Sequence, residues 1–299
     1  MIFPVMAKNL MLKDWKTLYI VLFPLILFVQ DAGAFELIQK EIEYKVVKGD
    51  NGEIISGKLG INWSQIAKEN SINPDARLST GQVLKVKFVR IIPEQIENGI
   101  IINIPDRTLY RFENNMLKDF YFIAAGKPTW QTPIGEFTIK SKSKDPTWFV
   151  PVSIQKEMED AGKDVLVEVP PGPENPLGKY WLQLSLNGIG LHGTNTPQSI
   201  YKFRSHGCMR LRPEVAELFF KEVQVGTKGR IIYKPVKIFR TAEGRILLEV
   251  YKDFYKKGTK YTEEIQKKLT ELDSVYKVDW DKVNEAIKNR DGIVRDVTK

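Results

Sequence analysis

Cysteine is almost absent from the 299 residues: there is one, Cys208. That excludes an intramolecular disulfide and any centre built from several thiolates, such as a Cys-rich zinc or iron–sulfur site. Histidine is nearly as scarce, with two, His192 and His206. The spacing of these three side chains matches none of the usual zinc patterns, so neither metal nor cofactor is expected. The formal charge is +8, yet no tight Lys/Arg block with interleaved aromatics occurs. Nucleic acid is therefore not an expected partner. A basic surface also suits an anionic polymer or lipid. Long internal repeats and low-complexity segments are missing. The apolar run Leu18 to Val29 is short for a membrane span.

That run has a context. Lys8, Lys13 and Lys16 precede it, and Asp31-Ala32-Gly33-Ala34, an A-x-A pattern, follows. Basic region, short apolar core and small residues make an export signal over residues 1–34. The alternative is an uncleaved anchor that attaches the protein to the membrane. Either reading puts the remainder outside the cytoplasm, in the periplasm or cell envelope. A free thiol there risks oxidation. Its presence needs a reason, either chemistry or burial as a small apolar side chain.

Three further regions follow. Residues 43–90 open with a strand at Tyr44-Lys45-Val46-Val47 and turn at Lys48-Gly49-Asp50. A helix is expected around Trp63 to Asn70, with Trp63, Ile66 and Ala67 as its stripe, then a strand from Val83 to Val89. A βαβ unit this small carries little core of its own and suits a binding module. Residues 98–234 read as mostly strand, including Ile100 to Ile104, Thr108 to Phe112, Gly135 to Ile139 and Tyr180 to Leu186. One helix is expected from Pro213 to Glu222, with Val215, Leu218 and Phe219 buried. Such a region folds as a β-sandwich or barrel-like domain. Residues 235–299 carry one or two strands and two polar helices, Glu263 to Leu272 and Trp280 to Asn289, an α/β extension.

The scarce side chains gather in one window, from His192 to Cys208. A thiol is a good nucleophile as thiolate, and a nearby imidazole favours that form. An imidazole can also pass the proton to a leaving amine. Cysteine plus histidine is thus the minimal apparatus for acyl transfer through a thioester. The residues alone leave open which histidine is the base. Gly207 permits a sharp turn beside the thiol, where backbone N–H groups can face an oxyanion. Arg210 can anchor a carboxylate. Tyr201, Lys202 and Arg204, between the histidines, line a substrate groove or merely a solvated loop. The segment Pro170 to Gly178, rich in Pro and Gly, is a candidate lid or rim.

His192-Gly193-Thr194 followed by Ser205-His206-Gly207-Cys208-Met209-Arg210 resembles the signature of the L,D-transpeptidase catalytic domain, the YkuD/ErfK-like family. Gly126-Lys127, Thr132-Pro133-Ile134-Gly135-Glu136-Phe137, Asn175-Pro176-Leu177-Gly178 and Gly190-Leu191 resemble its other landmarks. The resemblance implies a mostly β, sandwich-like domain. It makes Cys208 the nucleophile and His192 the general base and acid, with His206 beside the thiol. Backbone N–H groups of Gly207 and Cys208 would form an oxyanion hole, and Arg210 would position substrate or the cysteine loop. Ser205, Gly193 and Thr194, with Tyr201 and Arg204, are the candidate substrate-binding residues. The unit at 43–90 resembles a LysM module, which binds N-acetylglucosamine-containing glycan. The tail from residue 235 resembles the C-terminal extension of exported Gram-negative members. The implied substrate is a peptidoglycan tetrapeptide stem, cleaved with release of D-alanine and joined in a 3→3 cross-link. A lipoprotein lysine, a free D-amino acid or water remain alternative acceptors. A hydrolase of the lipoprotein link and a non-catalytic wall-binding protein are the rival readings.

Overall fold

The computed structural model describes residues 37–299; the expected export signal lies outside them. The first part comprises β1 (Leu37–Lys45), α1 (Gly52–Leu59), α2 (Trp63–Glu69) and β2 (Val83–Ile91). β1 and β2 pair antiparallel from Leu37↔Ile91 to Lys45↔Val83. The unit is βααβ, not βαβ, and its first strand begins earlier than expected. The unforeseen α1 has clear end signals. The Asn51 side chain accepts from Ile54 N–H at 2.9 Å, and Gly60 closes the helix at φ 65°. Polar N-cap and left-handed glycine outweigh the glycines within.

The central part contains β3 (Gly99–Asn103), β4 (Thr108–Glu113), β5 (Met116–Phe122), β6 (Ala125–Gly126), β7 (Gly135–Lys144), β8 (Trp148–Phe149), α3 (Val152–Asp160), β9 (Glu168–Val169), β10 (Tyr180–Leu184), β11 (Gly190–His192), β12 (Phe203–Ser205), β13 (Met209–Arg210), α4 (Pro213–Glu222) and β14 (Lys228–Ile232). Eight strands make one sheet in the order β13-β11-β10-β7-β14-β3-β4-β5. Its end strands do not pair, so the sheet is a curled half-barrel that stays open. With helices packed on and around it, the class is mixed α/β instead of mostly β.

The run Ile100-Ile101-Ile102 shows why. In a strand, alternate side chains face opposite sides. Ile100 and Ile102 join the core under α4, with Leu182, Leu191 and Phe219. Ile101, with Tyr110 and Phe112, joins Ile55, Ile66 and Phe88 of the first part. A continuous apolar run marks a sheet covered on both faces, and here the small module is the second cover. Of the residues expected to face inward from α4, Phe219 does so, whereas Leu218 is exposed and Ala216 takes its place.

The third part holds β15 (Val236–Arg240), β16 (Ile246–Val250), α5 (Tyr261–Glu271), α6 (Trp280–Asn289) and β17 (Arg295–Asp296). Its sheet runs β15-β16-β17. Asp279 caps α6 by accepting from Asp281 and Lys282 N–H groups. The three parts meet at buried charges. Lys237 Nζ lies 2.8 Å from Asp106 Oδ2 and 2.9 Å from Glu249 Oε2. Arg90 of β2 donates to Thr108 Oγ1 at 2.7 Å and to the Gly60 carbonyl at 2.8 Å. Among the described residues no helix is long and apolar enough to cross a membrane.

Candidate active site

The site is set by one strand pairing. β11 and β13 run parallel with Leu191↔Met209 and His192↔Arg210 in register. Leu191 and Met209 are fully buried in the core under α4. By alternation His192 and Arg210 face the other side of the sheet. Cys208, one residue before Met209, shares that side. Its thiol donates to the Gly188 carbonyl at 3.4 Å and feels both the Gly190 N–H and the Arg210 charge.

A residue that sequence reasoning missed completes this face. Trp181 of β10 pairs directly with His192, and their ring centroids are 5.7 Å apart. The indole also occupies the space above Gly190: a Cβ there would lie 2.4 Å from it. Gly190 is therefore required for close approach, and a glycine at that motif position was the available hint of a bulky neighbour.

His192 is buried, and burial foremost, with the nearby Arg210 charge, pushes its pKa down to about 3. Nδ1 has no hydrogen-bond partner of normal geometry, although the backbone of Gly193 and Leu177 pulls weakly the other way. Burial pushes the half-buried Cys208 thiol up, opposed by the Gly190 N–H and by Arg210. Both shifts favour the uncharged forms, a neutral imidazole and a neutral thiol. A neutral buried imidazole can still accept a proton.

His206 is held by charged neighbours. Its Nε2 lies 2.7 Å from Glu157 Oε2 and 3.2 Å from Lys127 Nζ. Glu157 also accepts from Trp130 Nε1 at 2.7 Å. The His206 hydrogen bond, then Lys127 and Trp130, hold the Glu157 carboxyl down at about 2. Glu157 belongs to α3, within a flap formed by β8, α3 and β9, and α3 buries none of its residues. The segment Pro170 to Gly178, expected as a lid or rim, forms the foot of this flap and lines a cleft beside Gly193 and Thr194. Asn175 is fully buried there and donates to the carbonyls of Pro146, Val169 and Pro170.

The remaining candidates divide. Gly207, at φ 109°, forms the turn before the thiol. Ser205 is buried; its hydroxyl donates to the Cys208 carbonyl and accepts from Gly207 N–H at 3.3 Å. It shapes the turn. Thr132 Oγ1 holds the same turn from outside, donating to the Gly207 carbonyl at 2.8 Å. Tyr201, expected at a groove, is a core residue at φ 65° whose hydroxyl accepts from Arg90 at 3.1 Å. Arg107 stacks over its ring at 4.0 Å. Desolvating the phenol is tolerated because two guanidiniums face it. Arg204 is exposed. Gly193 and Thr194 line a cleft of about 590 Å³ with Asn175, Tyr180 and Glu217. Among the described residues no cluster of His, Cys, Asp and Glu is arranged to hold a metal.

The YkuD model, the L,D-transpeptidase catalytic domain, matches residues 97–238, and the LysM domain model matches residues 44–87. Over 221 residues the chain is 33% identical to "Probable L,D-transpeptidase YbiS" of Escherichia coli, covering 71% of this chain and 72% of that protein. It is 30% identical to "Probable L,D-transpeptidase YcfS" of the same organism, covering 73% of this chain and 70% of the relative. Among solved structures, an Enterococcus faecium L,D-transpeptidase superposes with a TM-score of 0.35 at 21% identity, over 46% of this chain and 50% of the other. The chain belongs to the YkuD/ErfK-like family of L,D-transpeptidases and carries an N-terminal LysM domain.

Proposed function

We propose that the protein is a cysteine-dependent acyltransferase of the cell envelope that acts on peptidoglycan stem peptides. The observation that carries this reading is the register of β11 and β13, which sets His192 opposite Arg210, two residues beyond Cys208. The names of the relatives supply the reaction class.

The donor is a tetrapeptide stem. As the thiol sulfur attacks the carbonyl of the third residue, neutral His192 takes the thiol proton. The C–S bond forms, and N–H groups of Gly207 and Cys208 receive the oxyanion. Collapse breaks the C–N bond, and the imidazolium gives its proton to the leaving D-alanine amine. A thioester remains. An acceptor amine then attacks, its proton passes to His192, the C–S bond breaks and the thiol is restored. With a second stem as acceptor the product is a 3→3 cross-link; a lipoprotein lysine or water would give attachment or hydrolysis. Arg210 holds positive charge beside the sulfur and favours the anion that forms on attack. The LysM domain holds the glycan.

The test is intact mass. Purified protein is mixed with a disaccharide-tetrapeptide and quenched in acid. The expected result is an adduct on Cys208 equal to the stem minus D-alanine, absent in Cys208→Ala. Product analysis then distinguishes dimer from hydrolysed stem. No adduct and no D-alanine from folded, reduced protein would sink the reading. His192→Ala is expected to lose more turnover than His206→Ala, because His206 is engaged by Glu157.

A further inference from the structure

The C-terminal part supplies a side chain to the nucleophile's turn. Tyr255 lies beyond residue 238, where the match to the catalytic-domain model ends. It is nevertheless buried in the core of the catalytic part. Its hydroxyl accepts from Thr132 N–H at 3.1 Å and donates to the Gly126 carbonyl at 2.8 Å. Thr132 Oγ1 in turn accepts from Gly126 N–H at 2.9 Å and donates to the Gly207 carbonyl at 2.8 Å. Four hydroxyl–backbone hydrogen bonds thus connect the tail to the peptide group that joins Gly207 to Cys208.

The ring is as well placed as the hydroxyl. It stacks on Tyr233 at 5.5 Å and meets the edge of Phe203 at 5.7 Å. Phe254 stacks flat on Phe203 at 4.2 Å. Phe203 begins β12, the strand that leads through Ser205 to the turn. β12 pairs with β6, where Ser205 lies opposite Gly126. Gly126 has no room for a side chain: a Cβ would stand 2.1 Å from the Trp130 carbonyl. The loop from Gly126 to Thr132 is therefore folded tightly on itself, and Tyr255 closes it from behind. Asp253 fixes the segment by accepting from Tyr233 Oη at 2.8 Å and from Lys257 N–H at 2.9 Å.

We propose that Tyr255 is a positioning residue for acyl transfer, clamping the Gly207–Cys208 turn through Thr132. The clamp fixes the peptide group whose N–H is aimed at the oxyanion, which rests on the function proposed above. A donor displaced by about 1 Å is enough to lower turnover about a hundredfold. The extension beyond residue 238 is on this account part of the active site's framework.

Tyr255→Phe keeps the ring contacts and deletes the hydroxyl alone. In the full chain, amide hydrogen exchange of the peptide spanning residues 205–210 is expected to accelerate at least about tenfold, with the LysM helices unchanged. Release of D-alanine from the tetrapeptide is expected to fall about 10- to 100-fold in kcat, with KM within about threefold. Alkylation of Cys208 by iodoacetamide needs no oxyanion hole and stays within about threefold. Thr132→Val should reproduce the loss, Thr132→Ser should restore turnover, and Tyr255→Phe with Thr132→Val should cost little more than either alone. Unchanged exchange at 205–210 overturns the proposal. So does exchange that rises uniformly along the chain, which would mark general loosening. A wild-type protein that releases no D-alanine would defeat the functional reading, while the exchange experiment would still decide the role of Tyr255. Should Tyr255→Phe fail to fold, the Thr132 pair tests the same link.

Discussion

At the junction of the three parts, Lys237 sits between Asp106 and Glu249, and none of the three side chains is exposed. At the flap, Lys127 and His206 share Glu157, with 28–40% of each side chain in contact with solvent. The groups are alike, carboxylates against cationic or proton-carrying partners at 2.7 to 3.2 Å. The surroundings differ, and they decide what each cluster does. Inside, a charge that loses its partner has no water to turn to, so the network acts on stability. On the surface, water solvates whatever is released, and the cluster acts on position instead. The junction joins residues far apart in sequence: Glu249 accepts from the Ile91 N–H, 158 positions away. The LysM domain is consequently no tethered accessory, and its removal would uncover Ile101, Tyr110 and Phe112.

The largest expected effect follows from cutting the buried network. Lys237→Met keeps the length of the side chain and takes the buried cation from Asp106 and Glu249, leaving Glu249 its ion pair with Arg90. The loss should be about 3–5 kcal/mol in urea unfolding. Glu157→Gln, measured alongside, should leave the midpoint in place. Equal shifts in the two variants would erase the distinction between the clusters.

The two histidines sharpen the same contrast by pH. His192 is buried and its folded pKa is lowered to about 3 from an unfolded value near 6.5. Between those values the unfolded chain binds a proton that the folded chain does not. Stability should therefore fall as pH drops from about 6.5 toward 3, by about 1.4 kcal/mol per pH unit from this residue. Above pH 6.5 its contribution is flat. His192→Gln should remove this part of the acid slope, and His206→Gln should keep it. Unfolding midpoints at pH 7, 6, 5 and 4 decide the matter. An unchanged slope in His192→Gln would mean that the imidazole is not held neutral in the fold.

What was legible in the sequence was local. Cys208, His192, Gly207 and Arg210 stand in two short motifs, and the strand between Gly190 and His192 needs only its neighbours to form. The end signals of α1, Asn51 and Gly60, were also present, but glycines within the segment hid them. What was illegible was long-range. Tyr201 reads as an exposed loop aromatic until Arg90 and Arg107 close over it. His206 reads as a neighbour of the thiol, and nothing local announces its partner Glu157, 49 residues away on a helix with no buried face. Trp181 and Tyr255 carry no motif, because their roles come from what the sheet and the tail place beside them.

The smallest effect is the most discriminating for the flap. In Glu157→Gln the side-chain oxygen can still accept from Trp130, but the amide carries no charge for Lys127 and cannot accept from His206 in the same way. α3 then keeps β8, β9 and the Asn175 foot as its attachments. The flap should stand open for a larger share of the time, and a large substrate should be held less well. KM for the disaccharide-tetrapeptide is expected to rise by at most about fivefold. The kcat and the rate of Cys208 alkylation should not change, because Thr132 and Ser205 still hold the turn. Raising the salt concentration should bring the wild-type KM toward that of the variant, since half-exposed charges are screened. A fall in kcat with KM constant would instead place Glu157 in the proton path through His206, and the cluster at the flap would have to be counted with the chemistry.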